Sequence, residues 1–309
     1  MTTQTKKAPR VPVHGVLLLD KPVAWSSNDA LIKVKRLLNA LKAGHTGTLD
    51  PFATGLLPLC FGEATKFSQD LLEADKTYQT VVHLGITTTT GDTEGEVLET
   101  HAVNVSEEQI RAALLQFTGD ILQVPPMYSA LKRDGKPLYE YARAGITLER
   151  EARPVTIHIL EFSSYTSPFL TLNIRCSKGT YIRVLGEDIG AALGCGAHLN
   201  ALRRTHVGHL LLENAVTLEA LTAMEEQLRL TLLAPVDALL MSFPQVLLSD
   251  ELAKRFLQGQ RLALAKEAVD LPEVAGRVRV YRESNLQLLG SAQLQEYGIL
   301  APERLISTV

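Results

Sequence analysis

Residues 44–58 read GHTGTLDPFATGLLP. Three glycines, three threonines and two prolines surround one acid, Asp50. Glycine opens conformations barred to other residues, and proline fixes φ and removes a backbone donor. Neither an ordinary helix nor an ordinary strand is therefore expected through this stretch. An Asp-Pro step among glycines is first of all a turn, in which the carboxylate bonds its own backbone. The neighbours argue for more. Glycine lets backbone approach a ligand closely, and His45, Thr46 and Thr48 set hydrogen-bonding groups beside the acid. The stretch also joins two strongly patterned segments, where sites are usually built.

Before it, GVLLLDKP (15–22) reads as a short buried strand stopped by Pro22. SSNDALIKVKRLLNALKAG (26–44) reads as a helix with Ser26, Ser27 or Asn28 as N-cap and Gly44 as its end. Ala30, Leu31, Val34, Leu37, Leu38 and Leu41 fall on one face, with Lys33, Arg36 and Lys42 turned away. After it, EATKFSQDLLEAD (63–75) predicts a helix and KTYQTVVHLGI (76–86) a strand. TTTTGDTEGEV (87–97) is turn-rich. SEEQIRAALLQF (106–117) opens with a capping box between Ser106 and Gln109. VTIHILEF (155–162) and FLTLNIRCS (169–177) alternate as strands, the second with Leu170, Leu172 and Ile174 on one side. GTYIRVLGEDIGAALG (179–194) predicts a helix and ALRRTHVGHLLLE (201–213) a strand. Pro244 marks a boundary, followed by one helix, SDELAKRFLQ (249–258), and the β-rich GRVRVYRESNLQLLGSAQL (276–294). Helices and strands do not alternate as in a doubly wound fold, so the expected class is α+β with a mixed sheet.

At 309 residues and 46% apolar, the chain can bury a sizeable core in one large domain or two smaller ones. No apolar run approaches a membrane span, and no apolar stretch resembling a signal peptide follows the basic N-terminal residues. A cytoplasmic location is the expectation. Cys60, Cys176 and Cys195 are odd in number and widely spaced, which suggests reduced core residues rather than disulfides or a metal site. The net charge of −3 argues mildly against nucleic acid as a partner, but the distribution is uneven. Residues 1–46 hold eight Lys or Arg against Asp20 and Asp29, so a basic face fits within an acidic total.

Three chemistries for Asp50 fail on residues. A phosphate loop needs Lys-Ser or Lys-Thr after its last glycine, and Gly44, Gly47 and Gly55 offer neither. A phospho-aspartate motif needs an acid two residues before Thr46, where Gly44 stands. A metal site needs more acids or histidines at short spacing than one of each. A single carboxylate working as nucleophile or base without a metal remains.

Seven motifs in one order then resemble the tRNA pseudouridine synthases of the TruB type. They are HGVLLLDKP with SSNDAL, GHTGTLDPFATGLLP, GEATKFSQ, DKTY, PPMYSALKRDGKPLYEYARAG, SKGTYIRVL and LRRTHVG, spread over about residues 14–210. Ala24, where that family usually has Gly, and Val184, where Thr is common, are departures that touch no proposed catalytic group. The resemblance implies a mainly antiparallel catalytic domain over residues 1–243, with an RNA-gripping insertion at about 123–153. It also implies a small PUA-like, β-rich RNA-binding domain over 244–309. The activity implied is isomerisation of a uridine in the tRNA T-loop, conventional position fifty-five, to pseudouridine. No cofactor or metal is implied, and the partner is the T-arm of tRNA, met by a monomer.

Roles carry over by residue. The resemblance makes Asp50 the carboxylate that attacks the nucleotide, at C1′ or C6, or acts as a base. Arg183 is the cation expected to hold its pKa down. Tyr78 would stack on the flipped base and move a proton late in the reaction. Tyr181 would bond the uracil or position Asp50, Leu202 would line the base pocket, and His45 would fill the space the base leaves. Lys21 would support the loop or a phosphate. Lys132, Arg133, Lys136 and Arg143 of the insertion would contact RNA phosphates. Two rivals stand beside this reading: a guide-RNA-dependent synthase of the dyskerin type, which shares the Asp50 loop, and an RNA-folding factor whose pocket is not used. The full 125–145 segment, generally lacking in the guided enzymes, favours stand-alone action.

Overall fold

The computed structural model describes residues 9–267 and 269–307; the first eight residues, with Lys6 and Lys7, and residues 268, 308 and 309 lie outside the described residues. The elements run β1 (Gly15–Lys21), α1 (Ser27–Leu37), β2 (Ala43–His45), β3 (Thr54–Phe61), α2 (Ser68–Leu72), β4 (Lys76–Leu84), β5 (Ile86–Thr88) and β6 (Val97–Thr100). Next come α3 (Glu107–Leu114), β7 (Gly119–Gln123), β8 (Lys132–Arg133), β9 (Lys136–Pro137), α4 (Leu138–Arg143), β10 (Arg153–Thr166), β11 (Phe169–Cys176), α5 (Ile182–Ala192) and β12 (Ala197–Val207). β13 (Leu210–Leu211), β14 (Val216–Thr217), α6 (Leu218–Ala223), α7 (Glu226–Arg229), β15 (Gln245–Leu248), α8 (Asp250–Leu257), β16 (Leu262–Ala263), β17 (Gly276–Arg282), β18 (Leu288–Gln295) and β19 (Ile299–Leu305) complete the chain.

One mixed sheet dominates, in the order β14-β1-β3-β12-β4-β11-β10-β7, with β2 beside β3 and β13 beside β12. The pairings are antiparallel except β1 with β14 and β12 with β3. Strand chemistry follows burial. On β11, Leu170, Leu172 and Ile174 are buried while the alternate residues are partly or fully exposed, as expected of a sheet with one covered face. β3 reads LLPLCF because it is covered on both faces: Leu57, Leu59 and Phe61 join the main core, and Leu56 and Cys60 a second one.

The first helix departs from expectation. It is capped by the Ser26 hydroxyl, which accepts from the Asp29 amide, but it ends at Leu37 rather than Gly44. Asn39 takes a left-handed φ of 48°, Leu41 is exposed, and residues 43–45 pair antiparallel with β3. The apolar period continued past the helix because Ala40 serves the core from a turn. Of residues 44–58, only 46–53 are therefore irregular; the rest belongs to β2 and β3.

Beyond Pro244, a separate five-stranded sheet in the order β15-β17-β18-β19-β16 folds with α8 around Val246, Leu248, Phe256, Val278 and Val280. This is the β-rich C-terminal unit the sequence implied. It is tied to the rest by an Arg277–Asp70 ion pair, by the Tyr281 hydroxyl donating to Asp237 at 2.7 Å, and by Lys66 donating to the Leu305 carbonyl at 2.8 Å. Leu288, Ile306 and Phe243 share the second core.

Candidate active site

The irregular segment 46–53 is held from both sides. Beneath it, Leu49, Phe52 and Ala53 are buried in the main core. The Ser27 hydroxyl accepts from the Leu49 amide at 2.8 Å and donates to the Leu49 carbonyl at 3.0 Å. The Ala24 amide donates to the Pro51 carbonyl at 2.8 Å. Lys21 is fully buried, its ammonium donating to the carbonyls of Pro22 (2.9 Å), Trp25 (2.6 Å) and Pro51 (3.4 Å). Lys21 thus braces the loop, with its ammonium enclosed and outside the cavity lining. Burial pulls its pKa down to about 8, against the pull of Asp50. Opposite, Arg204 donates to the carbonyls of Leu56 (2.8 Å) and Gly47 (3.2 Å). Gly55 sits at φ 101° with the Arg204 backbone against it, and a Cβ there would lie 2.3 Å from the Arg204 carbonyl oxygen. A chain so irregular is stable because side chains from β1, α1 and β12 supply the donors its carbonyls need.

These braces present Asp50 to a cavity of about 290 Å³, lined also by Tyr78, Tyr181, Arg183 and Leu202. Arg183 points from the first turn of α5, whose start is clamped by Gln123: the Tyr181 amide donates to the Gln123 carbonyl at 3.0 Å, and the Gln123 amide donates back at 3.3 Å. Each edge of the guanidinium is used. Nε lies 3.0 Å from Asp50 Oδ2, Nη1 donates to the Thr90 carbonyl at 2.7 Å and lies 3.5 Å from Asp92 Oδ2, and Nη2 donates to the Tyr128 carbonyl at 2.6 Å. A fork shared four ways has one orientation, which fixes the carboxylate in turn.

The electrostatics differ from expectation in sign. Burial raises the Asp50 pKa above its usual 3.8; Arg183 opposes this, Asp92 adds to it, and Lys21 opposes it. The arginine therefore moderates the rise rather than producing a depressed value. Tyr78, on β4, is buried, and that burial pushes its phenol upward, with Arg204 pulling the other way.

His45 lies on β2, outside the cavity lining, with a buried Nδ1 that has no partner among the described residues. Burial and Arg204 lower its pKa, which favours the neutral ring. Lys132, Arg133, Lys136 and Arg143 are exposed on the β8–β9 hairpin and α4. Asp134 and Gly135, at φ 52° and 79°, make the two-residue turn that a twisted hairpin prefers. This arm is anchored by buried Leu138, and its Ser129 and Ala130 form part of the cavity wall.

The sequence reading missed Asp92, Lys76 and Arg204. Asp92 is buried, with Oδ1 accepting from Thr90 Oγ1 at 2.5 Å and from the Glu94 amide at 3.0 Å. It lies in a turn-rich segment that carries no period, so nothing marked it. Lys76 lines the cavity with its ammonium on the carbonyls of Leu71, Leu72 and Ala74, and burial brings its pKa down to about 8. Arg204 had a signal: it stands two residues after Leu202 on a strand, hence on the same face. Among the described residues, no group of three or more His, Cys, Asp or Glu is placed to hold a metal ion.

Three family models cover the chain: "TruB family pseudouridylate synthase (N terminal domain)" over residues 35–182, "tRNA pseudouridylate synthase B C-terminal domain" over 183–241, and "Pseudouridine synthase II TruB, C-terminal" over 244–306. A Ralstonia nicotianae protein described as tRNA pseudouridine synthase B is 64% identical over 98% of this chain and 98% of its own length. One from Burkholderia mallei with the same description is 64% identical over 97% of this chain and 99% of its own. Among solved structures, a Cbf5-Nop10-Gar1 complex matches at TM-score 0.73 and 26% identity, over 94% of this chain and 84% of the matched one. The chain belongs to the TruB family of pseudouridylate synthases.

Proposed function

We propose that this chain isomerises a uridine in the T-loop of tRNA, at conventional position fifty-five, to pseudouridine, acting alone as a cytoplasmic monomer with Asp50 as its reactive carboxylate. One observation carries the reading: a partly exposed carboxylate, its orientation set by a buried arginine, faces a cavity walled by Tyr78, Leu202 and Tyr181. That cavity is the size expected for a small planar group. A stacked uridine reaches it only when flipped out, which costs a few kcal/mol. Contact with the Tyr78 ring and the Leu202 side chain offsets that cost. The ionised Asp50 attacks the nucleotide, the N1–C1′ bond breaks, and uracil turns and rejoins through C5. Arg183 keeps the carboxylate aimed while the leaving base moves. The two arginines and two lysines of the arm, with the basic residues of α1, meet the RNA backbone. We assign residues 244–309 the part of an accessory RNA-binding domain.

The presence of the 125–145 arm, joined to Arg183 through the Tyr128 carbonyl, supports stand-alone action over guidance by a separate RNA. The test is mass spectrometry with carbodiimide mapping of one unmodified tRNA, incubated with wild type and with Asp50→Asn. Wild type is expected to convert the T-loop uridine, and the variant to bind the tRNA with no detectable product. Single-turnover rates for the variant within tenfold of wild type would overturn the role of Asp50.

A further inference from the structure

Arg204 is a puzzle if it only braces the loop. Its guanidinium is buried, and its hydrogen-bond partners among the described residues are the backbone carbonyls of Gly47, Thr48 and Leu56. Neutral groups alone hold this cation. Burying a charge costs several kcal/mol, and a neutral amide can clamp backbone, as Gln123 does at Tyr181. The positive charge therefore calls for a use besides bracing. Its position supplies one. Arg204 and Tyr78 are register partners on β12 and β4, and both side chains line the cavity that Asp50 faces.

We propose that Arg204 is a positioning residue that holds the Tyr78 phenol over the reacting base and stabilises its tyrosinate form while the last protons of the reaction move. The proposal rests on the isomerase reading above. Once C5 has bonded to C1′, the base is a tautomer of the product, with hydrogen still on C5 and N1 doubly bonded to C6. Conversion breaks the C5–H bond, its electron pair forms C5=C6, and the N1=C6 pair becomes an N1–H bond. One proton leaves C5 and one arrives at N1, with no oxidant or reductant. A single phenol carries both by giving its proton to N1 and recovering one from C5, and in between it is a tyrosinate. The charged and titratable groups around that oxygen are Arg204 on β12, Cys176 on β11 and Asp50 on the loop, with Arg204 also bearing on Lys76 of β4. Of the groups acting on the phenol, Arg204 favours the tyrosinate, whereas Cys176 and Asp50 oppose it.

The experiment compares Arg204→Gln, which keeps donors for the carbonyls, with Arg204→Lys, which keeps the charge. Single-turnover rates are measured on tRNA carrying uridine or 5-deuterouridine, alongside tRNA affinity and thermal midpoint. Arg204→Gln is expected to lose about 10²-fold in rate, the scale of one general acid–base contribution. Its affinity should stay near wild type and its C5 isotope effect should exceed the wild-type value. Arg204→Lys, which keeps the charge but not the planar fork, should lose a smaller part of the rate. Where Arg204→Gln does not fold, the lysine variant decides: a fluorotyrosine of lower phenol pKa at position 78 should restore rate lost in that background. An isotope effect unchanged in Arg204→Gln, or no response of the lysine variant to the more acidic phenol, leaves Arg204 a loop brace and overturns the proposal. A wild-type protein that makes no pseudouridine overturns the isomerase reading instead.

Discussion

Asp92→Asn isolates charge from shape at Arg183. The amide keeps an oxygen for Thr90 Oγ1 and the Glu94 amide, so the turn should survive. Arg183 loses a carboxylate 3.5 Å away. At an effective dielectric near 20, two unit charges at that separation interact by about 5 kcal/mol before desolvation is subtracted. A hydrogen bond to a charged group has a net worth of roughly 1.5–3 kcal/mol. If the guanidinium relaxes by that amount, single-turnover rate falls by about 10–100-fold, since 1.4 kcal/mol is tenfold. Affinity for tRNA should change little, because Asp92 does not line the cavity. The pH profile carries a second signature. The raised Asp50 pKa means that activity fades on acidification at a pH above the ordinary aspartate value of 3.8. It also means that ionising Asp50 opposes folding, since the folded state holds that proton more tightly than the unfolded one. Asp92 contributes to the rise, so its neutralisation should move the acid limb downward even as the maximal rate drops. Quench-flow with tritium release from 5-tritiated tRNA between pH 4 and 8 reads both effects. A rate within threefold of wild type, or an acid limb that moves upward, refutes the argument.

Neutralising Lys132, Arg133, Lys136 and Arg143 together should weaken tRNA binding and lower the slope of log affinity against log salt by about 3–4, as released counterions are lost; an unchanged slope would make the arm irrelevant to phosphates. These substitutions are cleaner than deleting the arm, which would also strip Arg183 of the Tyr128 carbonyl. Gly55→Ala should cost at least about 2 kcal/mol in chemical denaturation, because its φ of 101° and a 2.3 Å approach to the Arg204 carbonyl leave no room for a methyl group. Truncation after Phe243 should raise apparent KM with little loss of kcat, the pattern of lost uniform binding. It should also lower the thermal midpoint, since buried Asp70 loses Arg277 and the second core loses Leu288 and Ile306.

Strands were legible wherever one face is covered, because burial writes a period of two into the residues; β11 is the clearest case. The capping box at Ser106 was legible because it is local, and both of its bonds form. The end of α1 was not, because Leu38 is buried at the C-cap and Ala40 carries apolar character on after the chain has turned at Asn39. Asp50, Tyr78, Arg183 and Leu202, each named from a different motif, line one cavity. Asp92 stayed hidden because only the β5–β6 hairpin brings it to Arg183, and hairpin placement is a tertiary fact. The sign of the Asp50 shift was missed for a related reason: desolvation depends on how many atoms surround a group, which no motif records.

The Tyr128 carbonyl is a single atom that serves two masters. It belongs to the 125–145 arm, and it holds one prong of the fork that aims Asp50. If that arm meets the RNA as proposed, an RNA that left it ajar would meet a carboxylate out of true, and impostors would be refused at the chemical step rather than at the door. Fidelity of this sort would not demand tight binding. The protein could visit many tRNAs briefly and commit only to those that seat the arm.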